Sequence, residues 1–385
     1  MKLIEIKDNE SAKAFIEFPV ELYSDDNVYV RPWNHDIEDV FNSKKNKFFR
    51  HGECTRWILK NDDGKTIGRI AAFINNRTAK DSKTGGIGFF ECINNQEVAN
   101  ALFSEAKKWL LLKGMEAMEG PINFGDRDKW WGLLVDGFTH PTYGMNYNPK
   151  YYKQLFENFG FATYYEQYVF KYEVNQPVPE KFGEKADRIA REKAYRFEYL
   201  KKDKLDVYAT YFHEIYNAAW GTHHGFKPMA LEAAKKILKT IKPIMDPKLI
   251  WFGFHNDKPI SFFIMLPEIN QAVKKLNGKF GWFEKLKFMY YLKFSKTITK
   301  CYGVVFGVVP VFQSKGIEGA IIKAAEEVIR KQNKYTDMEM NWIGSFNPKM
   351  IAICESLNAS KIKTLITYKV MFDTNVDMKP HPIIN

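Results

Sequence analysis

Two stretches of this chain repeat one design. NPKYYKQLFENFGFATYYEQYVFKY starts at Asn148 and NPKMIAICESLNASKIKTLITYKVMF starts at Asn347. Each opens on an Asn-Pro pair suited to begin a capped helix of about a dozen residues. Each then breaks, at Phe159-Gly160-Phe161 or at Leu357-Asn358-Ala359, and ends in β-branched and aromatic residues that suit a strand. The preceding segments correspond too. TIGRIAAFINN, GGIGFFECI and the helical NQEVANALFSEAKKWLLLKG match LIWFGFHNDKPISFFIML, CYGVVFGVV and IEGAIIKAAEEVIRKQ. A chain built this way is a duplicated α+β protein, with paired strands before an amphipathic helix in each half.

At 385 residues the chain is too long for one ordinary core and suits two domains. The segment NQPVPEKFGEK, with two prolines and few large apolar residues, puts the boundary near residue 180. The expected division is an N-terminal domain over 1–178, a linker over 179–190 and a C-terminal domain over 191–385. In the second half, YRFEYL reads as a strand, and LDVYATYFHEIYNAAW as a helix with Val207, Tyr211, Ile215 and Ala218 on its apolar face. A second helix, ALEAAKKILKTIK, precedes strands at about 249–255, 259–266 and 301–309. The helix after residue 316, the strand DMEMNWI and the closing helix and strand complete the order.

The formal net charge of +11 favours anionic partners. There is no long basic run and no basic stretch with regularly spaced aromatics, so nucleic acid is not the expected partner. The four cysteines, Cys54, Cys92, Cys301 and Cys354, are widely spaced and read as free thiols of a reducing compartment. The N-terminus lacks the apolar core of a signal peptide and no apolar run approaches a membrane span, so a cytoplasmic location is expected. The cluster His35, Asp36, Glu38 and Asp39 reads as a polar helix start, and no metal site is expected.

The stretch VVPVFQSKGIEGA, residues 308–320, runs from a strand through a basic, glycine-containing corner into a helix. Unpaired N–H groups at such a helix start, with the positive end of the helix dipole, suit a pyrophosphate. Lys315 adds a point charge and Gly316 lets the backbone bend close to a ligand. Glu318 within this loop is expected to project to solvent, where it still favours the helix dipole. In the first half the matching helix opens at NNQEVAN, where Asn94 and Glu97 have capping-box spacing and no glycine loop exists. That half is expected not to bind such a ligand.

The element order and the GVVPVFQSKGIEGA junction resemble the GNAT superfamily of acyl-CoA-dependent N-acyltransferases. The family signature has Gln or Arg, then Gly, then Gly or Ala, at positions held here by Gln313, Gly316 and Glu318; the third departs. FFRHGE at 48–53, GFFECINN at 88–95, GLLVDGF at 132–138 and NPKYY at 148–152 extend a likeness to bacterial proteins built as tandem GNAT-like domains. The resemblance implies a mixed central sheet flanked by helices in each half. It also implies an acetyl- or longer acyl-CoA co-substrate held by Gly307, Val308, Val309 and the loop residues Gln313, Ser314, Lys315, Gly316, Ile317, Glu318 and Gly319, with Asn347. The acceptor would be a small-molecule or peptide amine. Where many GNAT enzymes place a proton-donating tyrosine, seven residues after the Asn that opens the last helix, this chain has Cys354.

Other candidate groups lie on the loop WGTHHGFKP and the hairpin LPEINQA. His224 and Glu268 are candidate bases, and Trp220, His223, Phe226 and Asn270 candidate acceptor contacts; turn chemistry accounts for the same residues. The insertion KKLNGKFGWFEKLKFMYYLKFSK, residues 274–296, reads as a helix with Phe283, Leu286, Met289, Tyr290 and Phe294 on one face. It would cover an apolar pocket, lie on an acidic membrane or pack on its own domain. Two alternatives to an acyltransferase stand beside it: a non-catalytic protein that kept the fold, and a Fem-like transferase using charged tRNA.

Overall fold

In the computed structural model, residues 1–77, 82–221 and 228–383 are described. They form a mixed α+β structure around one 13-stranded sheet. The first half contributes β1 (Lys2–Glu5), β2 (Gly52–Lys60), β3 (Thr66–Asn75), β4 (Thr84–Cys92), β5 (Ala117–Gly120), β6 (Leu133–Asp136) and β7 (Ala162–Glu173). Its helices are α1 (Asn9–Leu22), α2 (Asn34–Val40), α3 (Gln96–Leu112) and α4 (Tyr152–Phe159). Then come α5 (Glu180–Arg191), β8 (Tyr195–Tyr199), α6 (Leu205–Trp220), α7 (Leu231–Ile241), β9 (Ile250–His255) and β10 (Lys258–Pro267). The chain closes with α8 (Asn270–Val273), α9 (Trp282–Lys293), β11 (Lys300–Val308), α10 (Ile317–Gln332), β12 (Asp337–Gly344), α11 (Pro348–Ser356) and β13 (Ser360–Met371).

The strand order is β1-β2-β3-β4-β5-β13-β7-β12-β11-β10-β9-β8, with β6 also paired to β13. Neighbours are antiparallel except for two parallel pairs, β4 with β5 and β11 with β12. The closing strands of the two halves are exchanged. β13 lies on β5, with Tyr368 opposite Gly120, and β7 lies on β12, with Asp337 opposite Glu173. β7 and β13 then pair with each other along most of their length. At this seam the buried Lys363 ammonium of β13 pairs with the buried Glu339 of β12 at 3.0 Å.

Helices cover both faces. Tyr208, Phe212 and Ile215 of α6 pack on Phe252, Phe262 and Ile264 on one side, and Ile321, Ala325 and Ile329 of α10 pack with Phe263, Met265 and Met338 on the other. The buried stripe of α6 is Tyr208, Ala209, Phe212, Ile215 and Ala219, one residue round from the expected face. Val207 stays exposed because the aromatic rings of Tyr208 and Phe212 bury more apolar area. Residues 179–190, expected as a linker, are the helix α5, whose Ala186 and Ile189 bury themselves against Ile317 and Ala320.

The rhyme between the halves is also imperfect. Asn347 caps α11, its Oδ1 accepting from the Met350 N–H at 3.2 Å. Asn148 instead clasps β6, accepting from the Leu134 N–H at 2.8 Å and donating to the Leu134 carbonyl at 3.0 Å. Both helices stop at a left-handed residue, Gly160 at φ 103° and Asn358 at φ 55°.

Candidate functional site

β11 and β12 are parallel partners only from Lys300 opposite Asp337 to Gly303 opposite Met340. Beyond that point they part, and the fork between them opens onto a cavity of about 350 Å³. Just at the fork, β11 carries a bulge. Ile264 of β10 faces Val305 and Met265 faces Gly303, so Val304 is the extra residue. From Val304 on, the edge of β11 that faced β12 has no strand partner among the described residues, which turns backbone N–H and C=O groups towards the opening.

The cavity wall is mostly apolar. Val305 and Phe306 come from β11, Trp342 and Ile343 from β12, Ile322, Ala325 and Ile329 from α10, and Met350 and Ile353 from α11. Trp220, at the end of α6, and Arg127, from the first half, also line it. Polar side chains interrupt the wall, among them Glu326, Asn341 and Asn347 beside Arg127. Glu326 is buried and paired with Arg330 one helical turn on. Asn341 donates through Nδ2 to the Thr142 hydroxyl, while its Oδ1 is buried with no hydrogen-bond partner among the described residues. Sequence reading missed Asn341, Glu326 and Arg127. Asn341 is one position after the last residue of β12 that pairs with β11, a place visible only once the register is known.

The loop that follows β11 is shaped as expected at Gly316, which sits at φ 95° immediately before α10. A Cβ there would meet the Lys185 side chain of α5 at 3.4 Å. Gln313 closes the loop by donating from Nε2 to the Val308 carbonyl at 3.0 Å, and Lys315 lies over the Phe312 ring at 5.6 Å. Ile317 and Gly319 are buried in the packing of α10. Gly307 is pressed against the Trp220 ring, where a Cβ would come within 2.9 Å. Glu318 departs from expectation. Rather than projecting to solvent, its carboxylate turns back over the loop and accepts from the Ser314 N–H at 3.3 Å. An orphan donor beside a helix start attracts the nearest anion, and here that anion belongs to the chain.

The corresponding fork in the first half is closed. Past the parallel pairing of β4 and β5, the Ile122 N–H donates to the Ile87 carbonyl at 2.8 Å and carries the contact onward. Phe90 stacks on Phe103 at 4.5 Å and meets Tyr152 and Phe156 edge-on. The Tyr152 hydroxyl takes the Cys92 N–H at 2.8 Å and donates to buried Glu91, which Tyr23 and Arg69 also contact. The α3 cap is Asn95, one residue later than expected, accepting from the N–H groups of Glu97 and Val98.

The remaining candidates are spread out. His223, His224 and Phe226 lie outside the described residues. Glu268 is buried at the junction of the halves, not on an exposed hairpin tip; its carboxylate accepts from the N–H groups of Tyr143, Asn270 and Gln271 at 2.9, 2.9 and 3.2 Å. Burial pushes its carboxyl up to about 7 against the pull of those donors. Asn270 donates to the Pro141 carbonyl at 2.9 Å and lines a smaller cavity of about 90 Å³ whose other lining residues come from the first half. Cys354 is buried with its Sγ 3.6 Å from the Met340 sulfur, and burial pushes its thiol up to about 12. Its neighbours Met350, Ile353 and Leu357 line the large cavity, while Cys354 is not among the lining residues.

No family model matches the chain. It is 27% identical over 380 residues to the bacterial ceramide synthase of Caulobacter vibrioides, covering 96% of this chain and 97% of that one. It is 26% identical over 370 residues to protein YghO of Escherichia coli, covering 93% and 92%. Among solved structures, a tandem GNAT protein from the clavulanic acid biosynthesis pathway superposes with a TM-score of 0.57 at 9% identity, over 97% of this chain and 99% of that one. The bulged β11, its parting from β12 and the doubled plan therefore give this chain a tandem GNAT-like fold.

Proposed function

We propose that the chain is an acyl-CoA-dependent N-acyltransferase working in its C-terminal half, and that its acceptor is the amine of a long-chain amino alcohol. The observation that carries this reading is the fork: an apolar cavity beside an unpaired strand edge, at a bulge, next to a loop that begins a helix. An acyl thioester supplies an activated carbonyl and a thiolate leaving group. The residues present suit such a group in the fork. The β11 edge offers backbone partners to an extended amide-containing chain, and Val305, Phe306, Ile322 and Ala325 offer an apolar berth to an acyl tail. The loop suits it in part, because Glu318 already holds the Ser314 N–H and must swing away before a phosphate takes its place.

Asn341 is assigned the acceptor amine. Its free Oδ1 accepts an amine N–H and orients the nitrogen lone pair towards the β11 edge, so that proximity and orientation supply rate. Cys354, held protonated behind Met340, is not assigned a proton-transfer role. A ceramide is the amide of a fatty acid and a long-chain amino alcohol, so the name of the Caulobacter relative agrees in class with an apolar cavity. The plugged first half is assigned no CoA site, its donors being used by Tyr152, Asn95 and Ile87.

The test is to incubate the purified chain with acetyl- and palmitoyl-CoA and a panel of amines, reading amide formation by mass spectrometry. A long-chain amino alcohol acylated preferentially from the long-chain thioester is the expected result, with Asn341→Ala lowering kcat/KM about tenfold. Titratable CoA binding with no amide from any amine would instead favour the non-catalytic reading, which the Glu318–Ser314 contact supports.

A further inference from the structure

The helix α9 presents two apolar faces, and only one is used. Phe288 and Leu292 are buried in the core with Trp33 and Ile298. The opposite side carries Trp282, Phe283, Leu286, Tyr290 and Phe294, exposed by 70%, 71%, 52%, 55% and 77%. At 3.6 residues per turn these five fall within an arc of about 120°. The expected face of Phe283, Leu286, Met289, Tyr290 and Phe294 is thus mostly turned outward, with only Met289 packed on the core. Four aromatic rings and a leucine exposed this far, side by side on one helix, are uncommon on a surface that faces only water.

The charge around the patch has one sign. Residues 274–296 hold seven lysines and one acidic residue, Glu284. Lys287 and Lys293 fall within or beside the exposed arc, and neither they nor Lys296 form an ion pair among the described residues. Glu284 lies round the helix, away from the arc. An apolar strip carrying Trp and Tyr and rimmed by unneutralised lysines matches the boundary of a bilayer, with rings at headgroup depth and ammonium groups at anionic phosphates. A second copy of the chain fits poorly, since a two-fold contact would set one lysine rim against another.

We propose that α9 docks this protein on the surface of an anionic lipid bilayer, lying in the interface without crossing it. No helix among the described residues is long and apolar enough to span a membrane. The inference stands on this face alone and not on the acyl-transfer reading.

The experiment is co-sedimentation of the full chain with phosphatidylcholine vesicles, with and without about 30% phosphatidylglycerol, at about 50 mM and about 0.5 M salt. Partitioning onto anionic vesicles at low salt is expected to exceed that onto neutral ones by about tenfold and to weaken at high salt. A variant carrying Phe283→Ser, Leu286→Ser and Phe294→Ser is expected to lose about tenfold or more in binding. Its circular dichroism and Tm are expected to match the parent, because the three side chains are exposed. The Lys287→Glu, Lys293→Glu, Lys296→Glu variant is expected to lose the preference for anionic lipid. Parent protein left in the supernatant with anionic vesicles at low salt would overturn the proposal, as would a triple-serine variant that binds like the parent. So would a dimer at micromolar concentration that the serine substitutions dissociate, which would give the face to a second copy.

Discussion

Glu318 shows how far one side chain alters the chemistry of a loop. Its carboxylate takes the Ser314 N–H, and on the proposed reading this is a donor that a phosphate would use and a negative charge in that phosphate's path. Glu318→Gln removes the charge and weakens the contact, so CoA affinity measured by calorimetry is expected to rise about tenfold. An unchanged or weaker affinity would mean that the loop does not meet the phosphates. Glu268 makes a second residue-scale prediction. Its carboxyl is pushed up to about 7 in the folded protein, so between about pH 4.5 and 7 the unfolded chain releases a proton that the folded one keeps. Folding stability is therefore expected to fall as pH rises through that window, by up to about 3 kcal/mol from this group. Urea melts at pH 5 and 7 check this, and Glu268→Gln is expected to flatten the difference.

At the scale of elements, local pattern and long-range pairing part company. The strands from β8 to β12, the amphipathic α10 and the closing helices were legible, because alternation and three- to four-residue spacing are written along the chain. The glycine corner at 316 was legible for the same reason. What sequence did not carry was pairing: that β11 leaves β12 after Gly303, that Asn341 stands in the opening, and that Asn148 clasps β6 while Asn347 caps a helix. Likewise Phe283 and Phe288 look alike in sequence, and only the packing of α9 decides which is buried. Two predictions belong here. Removing Lys363 leaves the buried Glu339 carboxylate of β12 with only the more distant Lys300 ammonium at 3.9 Å, so Lys363→Ala is expected to cost about 3 kcal/mol in denaturant unfolding. Ala325→Phe on α10 narrows the cavity and is expected to weaken palmitoyl-CoA about tenfold relative to acetyl-CoA in paired titrations, at an overpacking cost of about 1–3 kcal/mol.

At the scale of the molecule, the exchange of β7 and β13 joins two halves that resemble separate domains into one sheet. The core behind α10 draws Trp33, Phe170 and Tyr172 from the first half together with Met338 and Ile329 from the second. Neither half contains its own full set of strands. Calorimetry is therefore expected to show one cooperative transition rather than two, and residues 1–178 expressed alone are expected to be unfolded or aggregated. Two resolved transitions would show that the seam is weaker than its pairing implies.

The place of β13 also sets an order of events during synthesis. The ribosome delivers β5 and β7 before the strand that fills the gap between them, Ser360–Met371, which emerges only after β8 to β12 have been translated. Until then the nascent first half carries two open strand edges, the kind of surface that pairs with neighbouring chains on a polysome. Completion of the N-terminal half is thus deferred until Ser360–Met371 has been translated, and a stop anywhere before Ser360 releases a product with its sheet unclosed.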